Sequence, residues 1–314
     1  MKLLFTSVGR RVELMQAFRR AADRNAIDLE LIGADVSLTA PALFFCDRKV
    51  ETPRISDPGY IPFLISYCDA HGVDALIPTI DTDLLILAEN KEKFRNTKVI
   101  ISAAESIGLC RDKRLTGDFF QKIGLNCPLP VDDCRHYSQG FPAFIKPKDG
   151  SSSINAYKVN TQEELESLSR MVPDYIVQPF IEGTEYTVDA FCDFEGNPIF
   201  ITPRIRLAVR SGEVLKTQIC QDETIISEMK TIIAAFRPCG PITVQLIRDS
   251  RSGKDYYIEI NPRYGGGAPL SIKAGADSCE KLLRLLRGET GGYEANAAED
   301  GAVFSRFDQS VKMN

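Results

Sequence analysis

The chain has 314 residues and a formal net charge of −5, with 44% hydrophobic and 26% charged residues. This length indicates two or three packed units rather than one core. The acidic balance argues against nucleic-acid or anionic-membrane partners, and no apolar stretch is long enough to span a bilayer. Because the N-terminus turns polar at Thr6, we expect no secretory signal, a cytoplasmic location and nine reduced cysteines.

The first hundred residues alternate between strand and helix patterns. Short apolar runs predict strands at Lys2–Thr6, 29–34, Ala75–Pro78 and 99–102. Apolar positions at helical spacing predict helices at 11–20, Tyr60–His71 and 84–94. Such alternation indicates βαβ units on a parallel sheet, with ligands beyond the carboxyl ends of the strands. The loops at 7–11, 35–37 and 79–83 lie there.

A second unit begins with a helix from about Arg111 to Gly124. The pattern then predicts a strand at 141–147, a small polar loop at 148–153 and a strand at 175–179. Thr161 with Glu164 three residues later is typical of a capping box that opens a helix.

Strand patterns dominate the remainder of the chain. They are predicted at 186–192, 198–201, 241–248, 256–260 and 303–307, with helices at Glu223–Phe236 and 280–287.

The segment from Tyr257 to Arg263 carries the strongest local signal for chemistry. In a strand, Ile258 and Ile260 would face one way, and Glu259 and Asn261 the other. Two oxygen-bearing side chains on one face suit Mg²⁺, which takes its other ligands from water and phosphate. Arg263 can grip a carboxylate or phosphate with two donors. A solvent-facing hairpin edge is the alternative.

Gln245 joins this group if the preceding strand pairs with the right register. Pairing of Gln245 with Glu259 requires an odd number of residues in the connecting loop, such as 250–254. An even loop would place Gln245 on the wrong face.

Lys146 ends an apolar strand and precedes the polar loop that contains Gly150, Ser151 and Ser152. A lysine in this position is costly to bury unless it is paired, and the loop offers N–H groups and hydroxyls to phosphates. The GxxxxGK[ST] order of a P-loop is absent. The alternative is an ordinary surface turn with a snorkelling lysine.

Two further segments suggest nucleotide contacts. The extended backbone at 177–181, which includes Gln178, Pro179, Phe180 and Ile181, can pair with an adenine edge, and Glu185 can accept from ribose hydroxyls. Arg204, Arg206 and Arg210 share one face of an extended chain, where fixed guanidinium groups stabilise a transferring phosphoryl group. A surface hairpin and a solvated basic stripe are the respective alternatives.

These pieces, in this order, resemble the ATP-grasp superfamily, and most of all the synthetase units of the carbamoyl-phosphate synthase large subunit. The resemblance covers nearly the whole chain. It implies that Lys113 and Lys146 touch ATP phosphates, that 177–181 and Glu185 bind adenine and ribose, and that Arg263, with Arg210 as a weaker match, contacts the transferring group. It also implies a magnesium (or manganese) site formed by Gln245, Glu259 and Asn261.

The resemblance implies an α/β protein with three parts. They are a Rossmann-like pre-ATP-grasp domain at 1–108 and the two lobes of the α+β ATP-grasp fold at 109–178 and 179–314. Because the chain holds one synthetase unit where the bacterial synthase has two, a stand-alone ligase is expected, and the resemblance is compatible with a homodimer. The ligase would join a small carboxylate to an amine or thiol through an acyl phosphate.

The second substrate is expected beside the loops at 7–11 and 81–83, where Asp81 or Asp83 would bind an amine. Three alternatives stay open: a partial synthetase like that of carbamoyl-phosphate synthase, a non-catalytic nucleotide-binding protein and an NAD-dependent oxidoreductase. For the last, Asp35 is placed to hold a ribose, but the first turn has Gly9 without a GxGxxG pattern.

Overall fold

The computed structural model describes residues 1–149 and 155–313. Its first part is a sheet in which every neighbouring pair is parallel, in the order β3-β2-β1-β4-β5. The strands are β1 Lys2–Thr6, β2 Glu30–Asp35, β3 Arg48–Glu51, β4 Ala75–Pro78 and β5 Lys98–Val99. The helices are α1 Val12–Arg24, α2 Tyr60–His71, α3 Leu84–Asn90 and α4 Ala104–Arg111. This order places a topological switch point between β1 and β4, where ligands of such sheets bind.

Both faces of this sheet are covered by apolar side chains. Leu3 and Phe5 of β1 pack in one core cluster with Phe18 of α1, whereas Leu4 packs in a second cluster with Leu64 of α2. Burial on both faces explains why these strands read as continuous apolar runs.

The second part is a small antiparallel sheet with the order β7-β6-β8. Its elements are α5 Lys113–Lys122, β6 Ala143–Pro147, β7 Tyr157–Val159, α6 Gln162–Ser169 and β8 Tyr175–Pro179. The predicted cap of α6 is present, since Thr161 Oγ1 accepts from the N–H of Glu164 at 3.2 Å. Gly150, Ser151 and Ser152 lie outside the described residues.

The third part is an antiparallel sheet with the order β13-β12-β9-β10-β11-β14. Its strands are β9 Gly183–Cys192, β10 Pro198–Arg210, β11 Glu213–Ile219, β12 Pro241–Asp249, β13 Asp255–Asn261 and β14 Val303–Ser305. Its helices are α7 Glu223–Phe236, α8 Ala268–Lys273 and α9 Ser278–Leu286. Val188, Val244 and Ile260 pack with α7 in one apolar cluster. The opposite face carries polar side chains such as Thr187, Asp189 and Arg204. It also carries Phe191 and Phe200, which pack toward the first domain.

The predicted α/β class, a parallel-sheet domain followed by an α+β part, is therefore confirmed. Within the described residues, no helix combines the length and apolar character that a bilayer crossing requires.

The β12–β13 hairpin pairs Gln245 with Glu259 as predicted, but the loop length is not the reason. Next to the turn, the N–H of Asp249 bonds the carbonyl of Lys254 and Arg248 pairs with Asp255, which is the register of an even loop. A bulge between the Leu246–Tyr257 and Gln245–Glu259 pairs then shifts the register by one residue.

The bulge also overturns the predicted orientation of Ile258. Tyr257 and Ile260 are buried in the core behind the sheet, whereas Ile258 lines the cleft on the same side as Glu259. The extra residue breaks the simple two-residue alternation at this point.

Candidate nucleotide and metal site

A cleft of about 490 Å³ lies between the small sheet and the polar face of the large one. This volume is in the range of small-molecule sites. The sequence-predicted residues among its lining are Lys113, Lys146, Gln178, Pro179, Phe180, Ile181, Glu185, Arg206, Gln245 and Glu259. The cleft therefore brings together residues up to 146 positions apart in the sequence, from 113 to 259. They lie at the start of α5 and on strands β6, β8, β9, β10, β12 and β13.

Lys146 lies at the end of β6 and is only 7% exposed. Burial lowers the pKa of its ammonium to about 8, the ammonium of Lys113 adds to the lowering, and the carboxylate of Glu259 opposes it. Burial also lowers the pKa of Lys113, against Glu259 and Asp149. Two partly desolvated ammonium groups beside one carboxylate form an environment that favours a further anion.

Lys113 is positioned by the start of α5. Asp112 caps this helix by accepting from the N–H of Arg114 at 2.9 Å. The Nζ of Lys113 donates to the carbonyl of Lys148 at 3.2 Å, which ties the helix to the segment after β6.

Of the predicted magnesium ligands, Gln245 and Glu259 line the cleft from the β12–β13 hairpin, whereas Asn261 is not part of its lining and contacts Glu259. Gln245 pairs across the strands with Glu259, and Asn261 Nδ2 donates to Glu259 Oε1 at 2.9 Å. In the described parts of the chain, no group of three or more His, Cys, Asp or Glu side chains can hold a metal. One carboxylate with two amides fits Mg²⁺, which completes its shell with water and phosphate oxygens.

One apolar wall of the cleft fits a flat aromatic base. The rings of Phe144 and Phe180 lie 6.1 Å apart, and the Nζ of Lys158 is 4.2 Å from the Phe180 ring centroid. Sequence reasoning missed Phe144, although it lies two residues before Lys146 on β6, at the spacing that places both on one strand face. Glu185 is 53% exposed in its side chain and lies 3.2 Å from Arg206 Nε.

The three predicted arginines of β10 do not act together. Arg204 is 1% exposed and donates to Asp189 at 2.8 Å in the interior, whereas Arg206 lines the cleft. Register shifts follow Arg206, so Val209 lines the cleft instead of Arg210. The side chain of Arg210 is 61% exposed and pairs with Asp308 at 3.1 Å. The expected common face is therefore wrong for Arg210, because the bulge changes the alternation.

Arg263 joins the β12–β13 hairpin to the first domain. Its Nε and Nη2 donate to the two carboxylate oxygens of Asp81 at 2.8 and 2.5 Å, and Nη2 also donates to Asn261 Oδ1 at 3.2 Å. The side chain of Arg263 is 12% exposed, and that of Asp81 34%. Asp81, expected to hold an amine, is thus engaged with Arg263.

Asp83 cannot contact an amine substrate directly, because it is fully buried. Its Oδ2 accepts from the hydroxyls of Thr6, Ser7 and Tyr60 at 2.8, 3.2 and 3.3 Å. Burial raises the pKa of Asp83 to about 6, against these hydrogen bonds. Asp83 therefore holds the loop after β1 in place.

Asp35 holds the same loop from the other side. It accepts from the backbone N–H groups of Gly9 at 2.9 Å and Ser37 at 3.1 Å. In the oxidoreductase alternative, Asp35 would hold a ribose. Its carboxylate instead accepts these hydrogen bonds from the neighbouring loops.

The polar cleft lies between two antiparallel sheets that follow a parallel-sheet domain. Two family models match the corresponding stretches of the chain. The model of the ATP-grasp domain matches residues 110–267, and that of the PylC-like N-terminal domain matches residues 3–102. The chain belongs to the ATP-grasp family.

Curated relatives include two kinds of ligase. The chain is 26% identical to the carbamoyl phosphate synthase large chain of Thermoanaerobacter pseudethanolicus over 212 residues, which are 60% of this chain and 19% of that one. It is 24% identical to the 3-methyl-D-ornithine–L-lysine ligase of Methanosarcina mazei over 220 residues, 69% of this chain and 56% of that one. The chain therefore spans about a fifth of the first relative and just over half of the second.

Solved structures share the fold. The biotin carboxylase domain of Hydrogenobacter thermophilus 2-oxoglutarate carboxylase aligns with a TM-score of 0.75 at 18% identity, covering 96% of this chain and 73% of that chain. The L-amino acid ligase of Bacillus licheniformis aligns with a TM-score of 0.71 at 19% identity, covering 91% and 74%.

Proposed function

We propose that the protein is an ATP- and Mg²⁺-dependent ligase that joins a small carboxylate to an amine through an acyl phosphate. The observation that carries this proposal is the convergence of Lys113, Lys146 and Glu259 on one cleft of nucleotide size. Membership of the ATP-grasp family and the similarity to C–N ligases support it.

In this proposal the protein positions charge rather than forming covalent bonds. Glu259, Asn261 and Gln245 would hold Mg²⁺, which neutralises phosphate oxygens when bound. Lys113 and Lys146 offset the remaining phosphate charge. Such positioning and electrostatic stabilisation account for most of the catalysis in phosphoryl transfer.

The other cleft residues orient the nucleotide and the substrate. The wall formed by Phe144 and Phe180 accepts the base, the backbone at 178–181 pairs with its edge, and Glu185 accepts from the ribose. Arg206 and Arg263 would steer a substrate carboxylate, whose oxygen attacks the γ-phosphorus as ADP leaves. The amine nitrogen then attacks the acyl carbon, and phosphate leaves.

The test is ADP release in a screen of amino acids and small carboxylates with MgATP. Glu259→Gln should lower the rate of ADP release by roughly a hundredfold or more, because the charge that would hold the metal is lost. Glu228→Gln is the matched control: Glu228 lies behind the same strand, where its Oε2 accepts from Tyr257 at 2.8 Å, and turnover should persist.

Wild-type turnover in Glu259→Gln refutes the metal assignment. Nucleotide binding without ADP release under any mixture would instead identify a nucleotide sensor.

A further inference from the structure

Three arginines from three parts of the chain meet between the first domain and the large sheet. Arg263 pairs with Asp81, as described above. Arg306, which follows β14, lies 3.2 Å from Glu213. Arg11 immediately precedes α1, on the loop that faces the expected second substrate.

Arg11 differs from the other two in its partners. Within the described residues, no carboxylate lies in ion-pair distance of its guanidinium, and its Nη2 donates to the carbonyl of Thr79 at 3.1 Å. Its Nη1 is 3.0 Å from the point that a Cβ on Gly266 would occupy, so the side chain spans from the first domain to the turn after Arg263. Burial lowers the pKa of Arg11 to about 10, the charge of Arg263 adds to the lowering, and the carboxylates of Glu213 and Asp81 oppose it from beyond ion-pair distance.

A desolvated guanidinium is costly without a counter-ion, and its planar donors match a carboxylate. We propose that Arg11, flanked by Arg263 and Arg306, binds a carboxylate group of the ligase's small-molecule substrate. That the bound carboxylate belongs to a substrate rests on the proposed function. Two donors of Arg263 are engaged by Asp81, whereas Arg11 has no carboxylate partner among the described residues, so Arg11 is the main group for this anion.

Arg306 acts as a positioning residue for this subsite. Glu213 is the carboxylate that would compete for Arg11, because its Oε1 lies 3.8 Å from the same point above Gly266. Arg306 holds the other oxygen, Oε2, at 3.2 Å and also donates to the carbonyl of Val214. The backbone of Arg306 is fixed by its N–H bond to the carbonyl of Leu215 at 2.8 Å.

The experiment is a calorimetric titration of the full chain, with and without MgADP, using acetate, succinate, glycine and alanine and their amides. At least one carboxylate should bind the wild type, and its amide should not. Arg11→Gln should weaken that binding by roughly tenfold or more, and Arg11→Lys by less, since a charge remains. Arg20→Gln, on the exposed side of α1, is the control and should bind like the wild type.

The role of Arg306 has its own rescue test. Arg306→Gln should weaken carboxylate binding because Glu213 is released toward Arg11. The double variant Arg306→Gln/Glu213→Gln should restore binding to within about twofold of the wild type. A purely structural role of Arg306 would not be rescued by removing Glu213, so failure of the rescue overturns this role.

The anion subsite is overturned if no carboxylate of the panel binds the wild type, or if Arg11→Gln binds it as tightly as the wild type does. ADP titrated into the same samples separates the two proposals. Loss of ADP binding counts against the proposed function alone, whereas ADP binding without carboxylate binding counts against the anion subsite alone. Binding of glycine and alanine but not acetate would assign the carboxylate to the amine substrate.

Discussion

The protonation of Lys146 depends on the charges that surround it in the cleft. This lysine is almost fully buried, and the ammonium of Lys113 lies close enough to disfavour its charged form, while Glu259 favours it. An arriving phosphate adds negative charge beside both ammonium groups and so raises their proton affinity. Nucleotide binding and protonation of Lys146 are therefore linked.

This linkage predicts a pH dependence of nucleotide affinity. The pKa of Lys146 is about 8 in the free protein. As the pH rises through that value the lysine loses its proton, so ADP affinity should fall by roughly tenfold between about pH 7 and about pH 9. Calorimetric titration with MgADP across this range measures the effect.

Two variants separate Lys146 from other groups. Lys146→Met should bind ADP more weakly and keep only a shallow pH slope, and Lys230→Met, at an exposed position of α7, should retain the wild-type slope. A wild-type slope in Lys146→Met would assign the proton to another group.

At the scale of elements, the β12–β13 hairpin decides which side chains reach the cleft. Its bulge turns Ile258 toward the cleft and leaves Ile260 in the core. Two isoleucines that strict alternation treats alike are therefore in different environments.

The two isoleucines should respond differently to truncation. Ile260→Ala should lower the free energy of unfolding by about 2–5 kcal/mol, because it leaves a cavity in a packed core. Ile258→Ala should cost about 1 kcal/mol or less and should mainly weaken nucleotide binding, since it removes apolar surface from the cleft. Urea unfolding and ADP titration of both variants test this, and equal losses of stability would contradict the assigned bulge.

The sequence predicts most elements well where packing and period agree. The strands at Lys2–Thr6, Ala75–Pro78 and Tyr175–Pro179 and the helices Tyr60–His71 and Glu223–Phe236 have the predicted bounds. Strong apolar periodicity and clear turn residues allow such segments to be predicted from the sequence. The domain boundaries at 108 and 178 stay predictions.

Other features depend on tertiary partners that a sequence pattern does not reveal. Strand β10 runs to Arg210, not to 201, because Arg204 and Arg206 find Asp189 and Glu185 across the sheet. The bulges after Arg206 and beside Glu259 arise from strand pairing. For the same reason the roles of Arg11 and Arg306 were not visible.

At the scale of the whole molecule, ion pairs connect the first domain to the hairpin that carries the proposed metal ligands. Arg263 is held by Asp81 through two donors and also contacts Asn261. Lys273 of α8 pairs with Glu13 of α1 at 2.6 Å. The proposed substrate side is therefore built from both ends of the chain, whereas the proposed nucleotide side is built from the two later parts alone.

This division predicts that Asp81→Asn affects the substrate but not the nucleotide. The amide leaves Arg263 with a weaker partner, so its guanidinium is held less firmly beside Asn261. Because Asp81 is partly exposed, the loss should be about 1–3 kcal/mol, or roughly fivefold to 150-fold in kcat/KM for the carboxylate. ADP affinity should stay unchanged, as it should in the control Asp23→Asn on α1. A parallel loss of ADP affinity would mean that this ion pair shapes the nucleotide side as well, and the separation of the two sides would fail.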